Sequence, residues 1–185
     1  MDKIKGTGVA LITPFNEDFS IDYDSLEKLI NHQINGEIDF LVVMGTTGES
    51  ATLSSQEKME VITFCKKINN CRLPIVLGIG GNNTFALIEE IKSTNLEGID
   101  AILSVSPYYN KPTQDGIYLH YKMISEICPL PIILYNVPGR TSSNISAKTT
   151  LRLANDFENI VAIKEASGDL VQIEKITAVS LDGIA

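Results

Sequence analysis

The feature that most constrains the fold of this chain is a regular alternation of short apolar runs with amphipathic segments. The apolar runs are rich in β-branched residues and begin about 30 residues apart, at 8–13, 40–44, 74–80, 101–105, 131–137 and 160–166. The segments between them have apolar residues at helical spacing, at 23–34, 54–68, 84–94, 116–127, 147–155 and 170–179. Ser54 and Glu57 have the spacing of a capping box, which predicts a helix start there. Strands that are apolar throughout and alternate with helices predict a parallel sheet covered on its faces, and hence an α/β fold.

Two α/β architectures have this alternation, the open doubly wound sheet and the TIM-type barrel. A glycine-rich turn, Gly78-Ile-Gly-Gly-Asn-Asn83, follows the third strand. It lacks the last glycine of a dinucleotide-binding turn and has no obvious ribose-binding acid after it. A tight strand-to-helix turn is therefore favoured there over a nucleotide site, although the motif alone leaves both open.

The unusual polar residues lie just beyond several different strands. Gly45-Thr-Thr-Gly-Glu49 follows the second strand, Ser106-Pro-Tyr-Tyr-Asn110 the fourth, and Tyr135-Asn-Val-Pro-Gly-Arg140 runs through the end of the fifth. An active site assembled from the carboxyl ends of many strands is typical of a barrel. We therefore predict a (β/α)8 barrel of the TIM type, of which about six strand–helix units are visible.

Lys164 stands in the sixth apolar run, Ile160-Val-Ala-Ile-Lys. If that strand is buried on both faces, desolvation lowers the pKa of the lysine and makes its amine available as a nucleophile. The alternative is a lysine at a strand end with its ammonium in solvent. The run alone leaves both interpretations open.

Hydroxyl groups and one arginine accompany the lysine. Tyr135 ends the fifth apolar run, where a phenol can pass protons to neighbouring hydroxyls. The planar guanidinium of Arg140 is suited to bind a carboxylate through two hydrogen bonds. The alternative is that Arg140 forms a surface ion pair. Thr46 and Thr47, between glycines, either form a tight turn or bind a ligand through hydroxyls and amides.

The adjacent Tyr108 and Tyr109 are expected to point in different directions, so that one packs against the protein and the other takes part in the chemistry. The alternative is that both rings cover the barrel mouth with their hydroxyls in solvent. Glu49 is interpreted as bracing its own loop. His32 and His120 lie within predicted helices and are interpreted as structural. Together, a lysine with hydroxyls and an arginine suits imine chemistry on a keto acid.

Composition excludes several other classes. The 185 residues are 44% hydrophobic and 21% charged, as in globular proteins, and the net charge of −8 argues against nucleic acid as a partner. Cys65, Cys71 and Cys128 have neither disulfide nor zinc-ligand spacing, so buried free thiols and no metal are expected. Without a signal peptide or a long apolar run, the expected location is the cytoplasm, with no membrane contact.

Four motifs in the same order resemble the dihydrodipicolinate synthase family of pyruvate-dependent aldolases. They are Gly45-Thr-Thr-Gly-Glu-Ser50, Ser106-Pro-Tyr-Tyr-Asn110, Leu134-Tyr-Asn-Val-Pro-Gly-Arg-Thr141 and Ile163-Lys-Glu-Ala-Ser-Gly168. The resemblance implies condensation of pyruvate with aspartate semialdehyde to 4-hydroxy-tetrahydrodipicolinate, on the diaminopimelate route to lysine. It implies no cofactor other than the covalent Schiff base. The related N-acetylneuraminate or keto-sugar acid lyases are the alternative, although these typically carry Ser-Thr where this chain has Thr46-Thr47.

The resemblance also assigns roles to individual residues. Lys164 would form the Schiff base with pyruvate, and Tyr135 would transfer protons with Thr46 and Tyr109 completing the relay. Tyr109 would reach into the site of a neighbouring subunit, which implies a homodimer and commonly a dimer of dimers. Two further residues would bind substrate: Thr47 the carboxylate of pyruvate, and Arg140 that of aspartate semialdehyde.

In lysine-inhibited members of the family the inhibitor binds through positions that correspond to Ser55, Asn82, Ala86 and Tyr108. A glutamate is expected where this chain has Ala86, and a basic or histidine side chain where it has Ser55. With no carboxylate for the amine of the ligand, weak or absent inhibition is expected.

The resemblance implies eight strands and a C-terminal helical domain, whereas six strands are visible. We therefore predict that residues 1–185 form a single partial barrel, either a piece of a longer product, or completed by another chain, or paired with itself. The third functional alternative is a non-catalytic subunit that retains the motifs.

Overall fold

A computed structural model describes residues 4–180, which form two compact units. The first unit contains the chain up to Gly78 together with Asn95–Asp100. The second contains Ile79–Thr94 and the chain from Ala101 onward. The C-terminal residues 181–185, where we expected no seventh strand, lie outside the described residues. The interpretation of the chain as a single domain stays a prediction.

The first unit has a three-stranded parallel sheet whose central strand is the second in the chain. Leu41 of that strand pairs with Val9 on one side and with Ile75 on the other. The elements are β1 (Gly8–Ala10), α1 (Tyr23–Asn35), β2 (Phe40–Val43), α2 (Ser55–Asn69) and β3 (Ile75–Gly78).

The helices of the first unit begin where side chains satisfy free backbone amides. The Asp22 carboxylate accepts from the Ser25 amide at 2.9 Å at the start of α1. The Ser54 hydroxyl accepts from the Glu57 amide while the Glu57 carboxylate accepts from the Ser54 amide, which confirms the predicted capping box of α2.

The second unit contains three parallel strands, and the fifth strand of the chain lies between the other two. Its helices include a short one, α5, that the sequence pattern does not predict. The elements are α3 (Thr84–Ser93), β4 (Ala101–Val105), α4 (Gln114–Ser125), β5 (Ile132–Asn136), α5 (Pro138–Thr141), α6 (Ala147–Asp156), β6 (Ile160–Glu165) and α7 (Leu170–Ser180). All six predicted strands and all six predicted long helices are therefore confirmed.

Close packing explains the glycines of the turn between β3 and α3. A Cβ on Gly78 would lie 2.2 Å from the Met44 carbonyl oxygen, and one on Gly80 would lie 2.7 Å from Val105 Cγ1. Asn83 then caps α3 by accepting from the Ala86 amide at 3.2 Å. These contacts support the interpretation of the motif as a tight strand-to-helix turn.

One burial prediction is wrong, and the two interpretations left open for the sixth strand can now be compared. Cys65 and Cys128 are buried, but Cys71 is exposed because it lies in a left-handed turn (φ 59°) just beyond the end of α2. The sixth strand is not buried on both faces: only Ile160 is buried, and Lys164 is exposed. Within residues 4–180, β6 pairs with β5 along one edge.

Candidate active site

Lys164 lies at the carboxyl end of β6 with its amine beside an aromatic ring. The strand register pairs Lys164 with Tyr135 of β5, and Nζ of the lysine lies 4.6 Å from the centre of the tyrosine ring. Paired residues of neighbouring strands project from the same face of a sheet, which explains the contact. Each residue is a candidate from its own apolar run, but only the register shows that the two side chains meet.

The environment of Lys164 is intermediate between the two interpretations of the sequence. The residue as a whole is exposed, yet burial of its amine lowers the pKa of Lys164 below the ordinary 10.5. The two observations are compatible, because partial burial of the amine is enough to lower its pKa while the residue as a whole stays exposed. The direction of the pKa shift increases the fraction of neutral amine, the form that attacks a carbonyl.

Tyr135 is 7% exposed and is held in the centre of its sheet. Its carbonyl oxygen accepts from the Ser106 amide at 3.0 Å, at the carboxyl end of the neighbouring strand β4. Within the part of the chain that is described, no side-chain hydrogen bond engages its hydroxyl. The strand register thus holds the phenol ring beside Lys164.

Arg140 lies in the four-residue helix α5 and is exposed. The Arg140 amide donates to the Val137 carbonyl at 2.9 Å, so the backbone of the turn is fixed although the side chain is not. Among residues 4–180 the guanidinium has no carboxylate partner, so the alternative of a surface ion pair is not seen. The side chain is available for an anion.

The two adjacent tyrosines follow β4, and both are exposed. Tyr108 is 40% exposed and Tyr109 85%, so the expectation that one of them packs is wrong for this chain. The Tyr109 backbone is left-handed (φ 72°), an uncommon conformation for a bulky residue that turns its ring outward. The Asn82 amide group donates to the Tyr108 carbonyl at 3.2 Å and anchors the loop.

Thr46 and Thr47 belong to the other compact unit, where they form a 3₁₀ turn directly after β2. Both are exposed, and Gly48 is buried beneath them. The Thr13 hydroxyl donates to the Gly48 carbonyl at 2.6 Å, and a Cβ on Gly48 would approach the Leu11 carbonyl oxygen to 3.1 Å. The turn is thus fixed from below, which leaves the two threonine hydroxyls accessible.

Glu49 ends this turn in a left-handed conformation (φ 53°). Its carbonyl accepts from both the amide and the hydroxyl of Thr52 at 2.9 Å. The prediction that Glu49 braces its own loop is confirmed for its backbone.

Two polar residues that sequence reasoning missed stand next to the lysine and tyrosine. Asn136 follows Tyr135, Glu165 follows Lys164, and the Asn136 amide donates to both oxygens of the Glu165 carboxylate, at 2.9 and 3.1 Å. Because side chains alternate along a strand, this pair lies on the opposite face of the sheet. The signal was present in the sequence as two polar residues inside apolar runs.

The structure brings together only some of the predicted site residues. Lys164 and Tyr135 are in contact, whereas no contact joins Arg140 or Tyr109 to them within the described part of the second unit. Over residues 4–180 no group of three or more His, Cys, Asp or Glu side chains is arranged to hold a metal ion. Nor does any helix of this range have the length and apolarity needed to cross a membrane.

The alternation of parallel strands and helices, with Lys164 and Tyr135 at two adjacent strand ends, is the arrangement of a (β/α) barrel of the TIM type. The sequence pattern of the Dihydrodipicolinate synthetase family matches residues 3–184, and this chain belongs to that family. The fold class predicted from the sequence is thereby confirmed.

Similar proteins agree with this assignment. The 4-hydroxy-tetrahydrodipicolinate synthase of Flavobacterium psychrophilum is 57% identical over 176 residues, which cover 95% of this chain and 60% of that protein. The dihydrodipicolinate synthase of Acinetobacter baumannii, solved with pyruvate, is 45% identical with a TM-score of 0.93, covering 98% of this chain and 62% of its own. A monomeric dihydrodipicolinate synthase variant is 39% identical, also with a TM-score of 0.93, covering 98% and 60%. The chain therefore spans about 60% of the length of these relatives.

Proposed function

We propose that this protein condenses pyruvate with aspartate semialdehyde through a Schiff base on Lys164, giving 4-hydroxy-tetrahydrodipicolinate. The observation that carries the proposal is the Lys164 amine, lowered in pKa and 4.6 Å from the ring centre of Tyr135. The family and the names of the relatives support the choice of substrates. The reaction requires no metal or organic cofactor, because the imine itself supplies the electron sink.

The chemistry begins with attack of the neutral Lys164 amine on the ketone carbon of pyruvate. Loss of water gives the imine, and Tyr135 delivers the proton that this loss needs. Removal of a methyl proton then gives an enamine, which forms the new carbon–carbon bond with the aldehyde of aspartate semialdehyde. Attack of the semialdehyde's own amino group on the imine carbon releases Lys164 and closes the ring.

The other site residues have roles that follow from their exposed positions and from the family. We assign Thr46 and Tyr109 to the proton relay and Thr47 to the carboxylate of pyruvate. Arg140, whose guanidinium has no carboxylate partner within residues 4–180, is assigned to the carboxylate of aspartate semialdehyde.

A homodimer, and from it a homotetramer, is the assembly that we propose. It is supported by the outward-turned Tyr109, which is 85% exposed and therefore able to reach a second subunit. The existence of a monomeric variant among the similar structures means that family membership alone does not fix the assembly. A cytoplasmic location and a partial barrel also stay predictions.

Borohydride reduction in the presence of pyruvate tests the proposed function directly. We expect a covalent pyruvate-derived adduct, detected by intact mass and mapped to Lys164 by peptide analysis. Omission of either pyruvate or borohydride is the control and should leave the mass unchanged. A folded protein that forms no adduct, or an adduct on other lysines alone, would contradict the proposal.

Two alternatives are separated by simple assays. A keto-sugar acid lyase would form the same adduct but turn over N-acetylneuraminate faster than aspartate semialdehyde, whereas the names of the relatives favour the synthase. A non-catalytic subunit would form no adduct.

Inhibition by lysine should be weak or absent. Asn82 and Tyr108 are adjacent in the structure, but position 86 in the first turn of α3 carries an exposed alanine with no charge for the amine of a ligand. A missing charge-assisted hydrogen bond weakens binding by about 1.5–3 kcal/mol, or roughly 10- to 100-fold. A lysine titration of the condensation rate checks this, with Ala86→Glu as the comparison expected to strengthen inhibition. Inhibition of the parent protein at micromolar lysine would refute it.

A further inference from the structure

The face of the second sheet opposite Lys164 and Tyr135 carries a closed set of hydrogen bonds, here named the amide cluster: Asn136, Asn144, Glu165 and Gln172. Asn136 is fully buried, and its Nδ2 bonds Asn144 Oδ1 at 2.8 Å as well as Glu165. Gln172 of α7 is 8% exposed and bonds Glu165 through Nε2 at 2.9 Å. Asn144 Nδ2 donates back to Gln172 Oε1 at 2.9 Å.

Within residues 4–180, every polar group that hydrogen-bonds to the Glu165 carboxylate is an amide donor. Besides Asn136 and Gln172, the Ser167 amide donates to Glu165 Oε1 at 2.8 Å. Within residues 4–180 no cation pairs with this carboxylate, so amides alone hold the charge. Only an acceptor-only group satisfies such a set of donors, which explains why the position holds a carboxylate and not an amide.

A charged network in this place is not the most stable filling of the space. Glu165 also lines a mostly apolar cavity of about 130 Å³ together with residues of β6, α6 and α7. Apolar side chains of similar size are often at least as stabilising as a buried charged group. The amide cluster therefore calls for a second role, one connected with its position behind the two reactive side chains.

The register of β6 against β5 identifies that role. Ile132 pairs with Ile160 but Ile133 pairs with Ala162, so β6 contains one extra residue, Val161, near its start. The irregularity is confined to the start of β6, and the pairing is regular from Ile133–Ala162 to Asn136–Glu165. A slip of one residue would move Lys164 to the other face, because side chains alternate along the strand. The bond between Asn136 and Glu165 joins the side chains of the last regular pair and reinforces the register immediately next to Tyr135 and Lys164.

We propose that Glu165 is a positioning residue, whose carboxylate, held by Asn136, Gln172 and the Ser167 amide, fixes the end of β6 so that the Lys164 amine stays over the ring of Tyr135. This inference rests on the proposed function, in which these two residues react with pyruvate. Glu165 itself lies behind the sheet and touches no reacting atom.

Glu165→Gln tests the inference, because it replaces one acceptor oxygen with an NH2 group that would lie against the donors of Asn136, Gln172 or Ser167. We expect the rate of borohydride trapping of pyruvate to fall about 10- to 100-fold, as for supporting residues behind other reactive groups. The pH midpoint of trapping should also move up, since an amine displaced from Tyr135 into water regains a pKa nearer 10.5. Glu174→Gln, on the exposed face of α7, is the matched control and should change neither value.

The pH midpoint separates positioning from a merely structural role. A slower Glu165→Gln protein with an unchanged midpoint would overturn the inference, as would a variant that reacts like the parent. If Glu165→Gln does not fold, Gln172→Met removes the bond from Gln172 to Glu165 together with the bonds between Gln172 and Asn144, and it is judged by the same two measurements. A parent protein that traps no pyruvate would contradict both the proposed function and this inference. Normal trapping by the parent and by the variants would contradict the inference alone.

Discussion

Replacement of Lys164 by arginine should abolish the trapped pyruvate adduct and lower the condensation rate on the order of 10⁴-fold or more, as for other residues that form the covalent intermediate. The guanidinium stays protonated at any working pH and so presents no lone pair for attack on a ketone. Arginine keeps the positive charge, however, and can keep the contact with the ring of Tyr135. The substitution therefore tests nucleophilic attack separately from electrostatic attraction of the pyruvate carboxylate.

The fold should survive this substitution, since Lys164 is exposed and makes no ion pair within residues 4–180. Circular dichroism and the unfolding midpoint of the variant should match those of the parent. Lys175→Arg, an exposed position on α7, is the matched control for the chemistry and should trap pyruvate normally. Retained turnover in Lys164→Arg, or an unchanged adduct that maps elsewhere, would contradict the covalent role of this lysine.

The strands and helices of this chain could be predicted from sequence because their signals are local. Apolar periodicity located six strands and six helices, and the spacing of Ser54 and Glu57 located the start of α2. The short helical turns at Thr46–Gly48 and Pro138–Thr141 were not predicted, because three or four residues are too few to show a period.

The burial of Lys164 and the amide cluster could not be predicted, because both depend on contacts between distant parts of the chain. The exposure of Lys164 depends on which elements pack against β6, and an apolar run in the sequence does not show those elements. The partners Asn136 and Glu165 are 29 residues apart, and the irregularity at Val161 makes their register unreadable from the pattern of either strand. The lysine and the tyrosine could be predicted from their places in apolar runs and from the family motifs, whereas the contact between them is visible only in the fold.

Stability should fall steeply below neutral pH because of one buried histidine, His120 of α4. The side chain is 4% exposed, its Nδ1 lies 2.8 Å from the Thr84 hydroxyl, and its ring meets that of Tyr121 edge-on at 5.1 Å. The other ring nitrogen, Nε2, is buried without a partner among the described residues. Burial lowers the pKa of His120 from 6.5 to about 4, since an imidazolium there would leave a charge unsolvated.

The pKa difference fixes both the sign and the pH window of the effect. The unfolded chain takes up a proton at His120 near pH 6.5, whereas the folded chain does so only near pH 4. Between these values the unfolded state binds more protons, so the free energy of unfolding decreases as the pH falls. The loss is complete below about pH 4 and amounts to about 3 kcal/mol, from about 1.4 kcal/mol per pKa unit.

Urea unfolding between pH 7.5 and pH 4, followed by circular dichroism because the chain has no tryptophan, measures this loss. His120→Asn can keep the bond to Thr84 but does not titrate, so it should lose about 3 kcal/mol less than the parent over the same range. The variant starts less stable at pH 7.5 because it leaves space beside Tyr121. His32, the other histidine, is exposed on α1, and His32→Asn should keep the pH dependence of the parent. Equal slopes for the parent and His120→Asn would show that carboxylates, and not the buried imidazole, set the acid sensitivity of this protein.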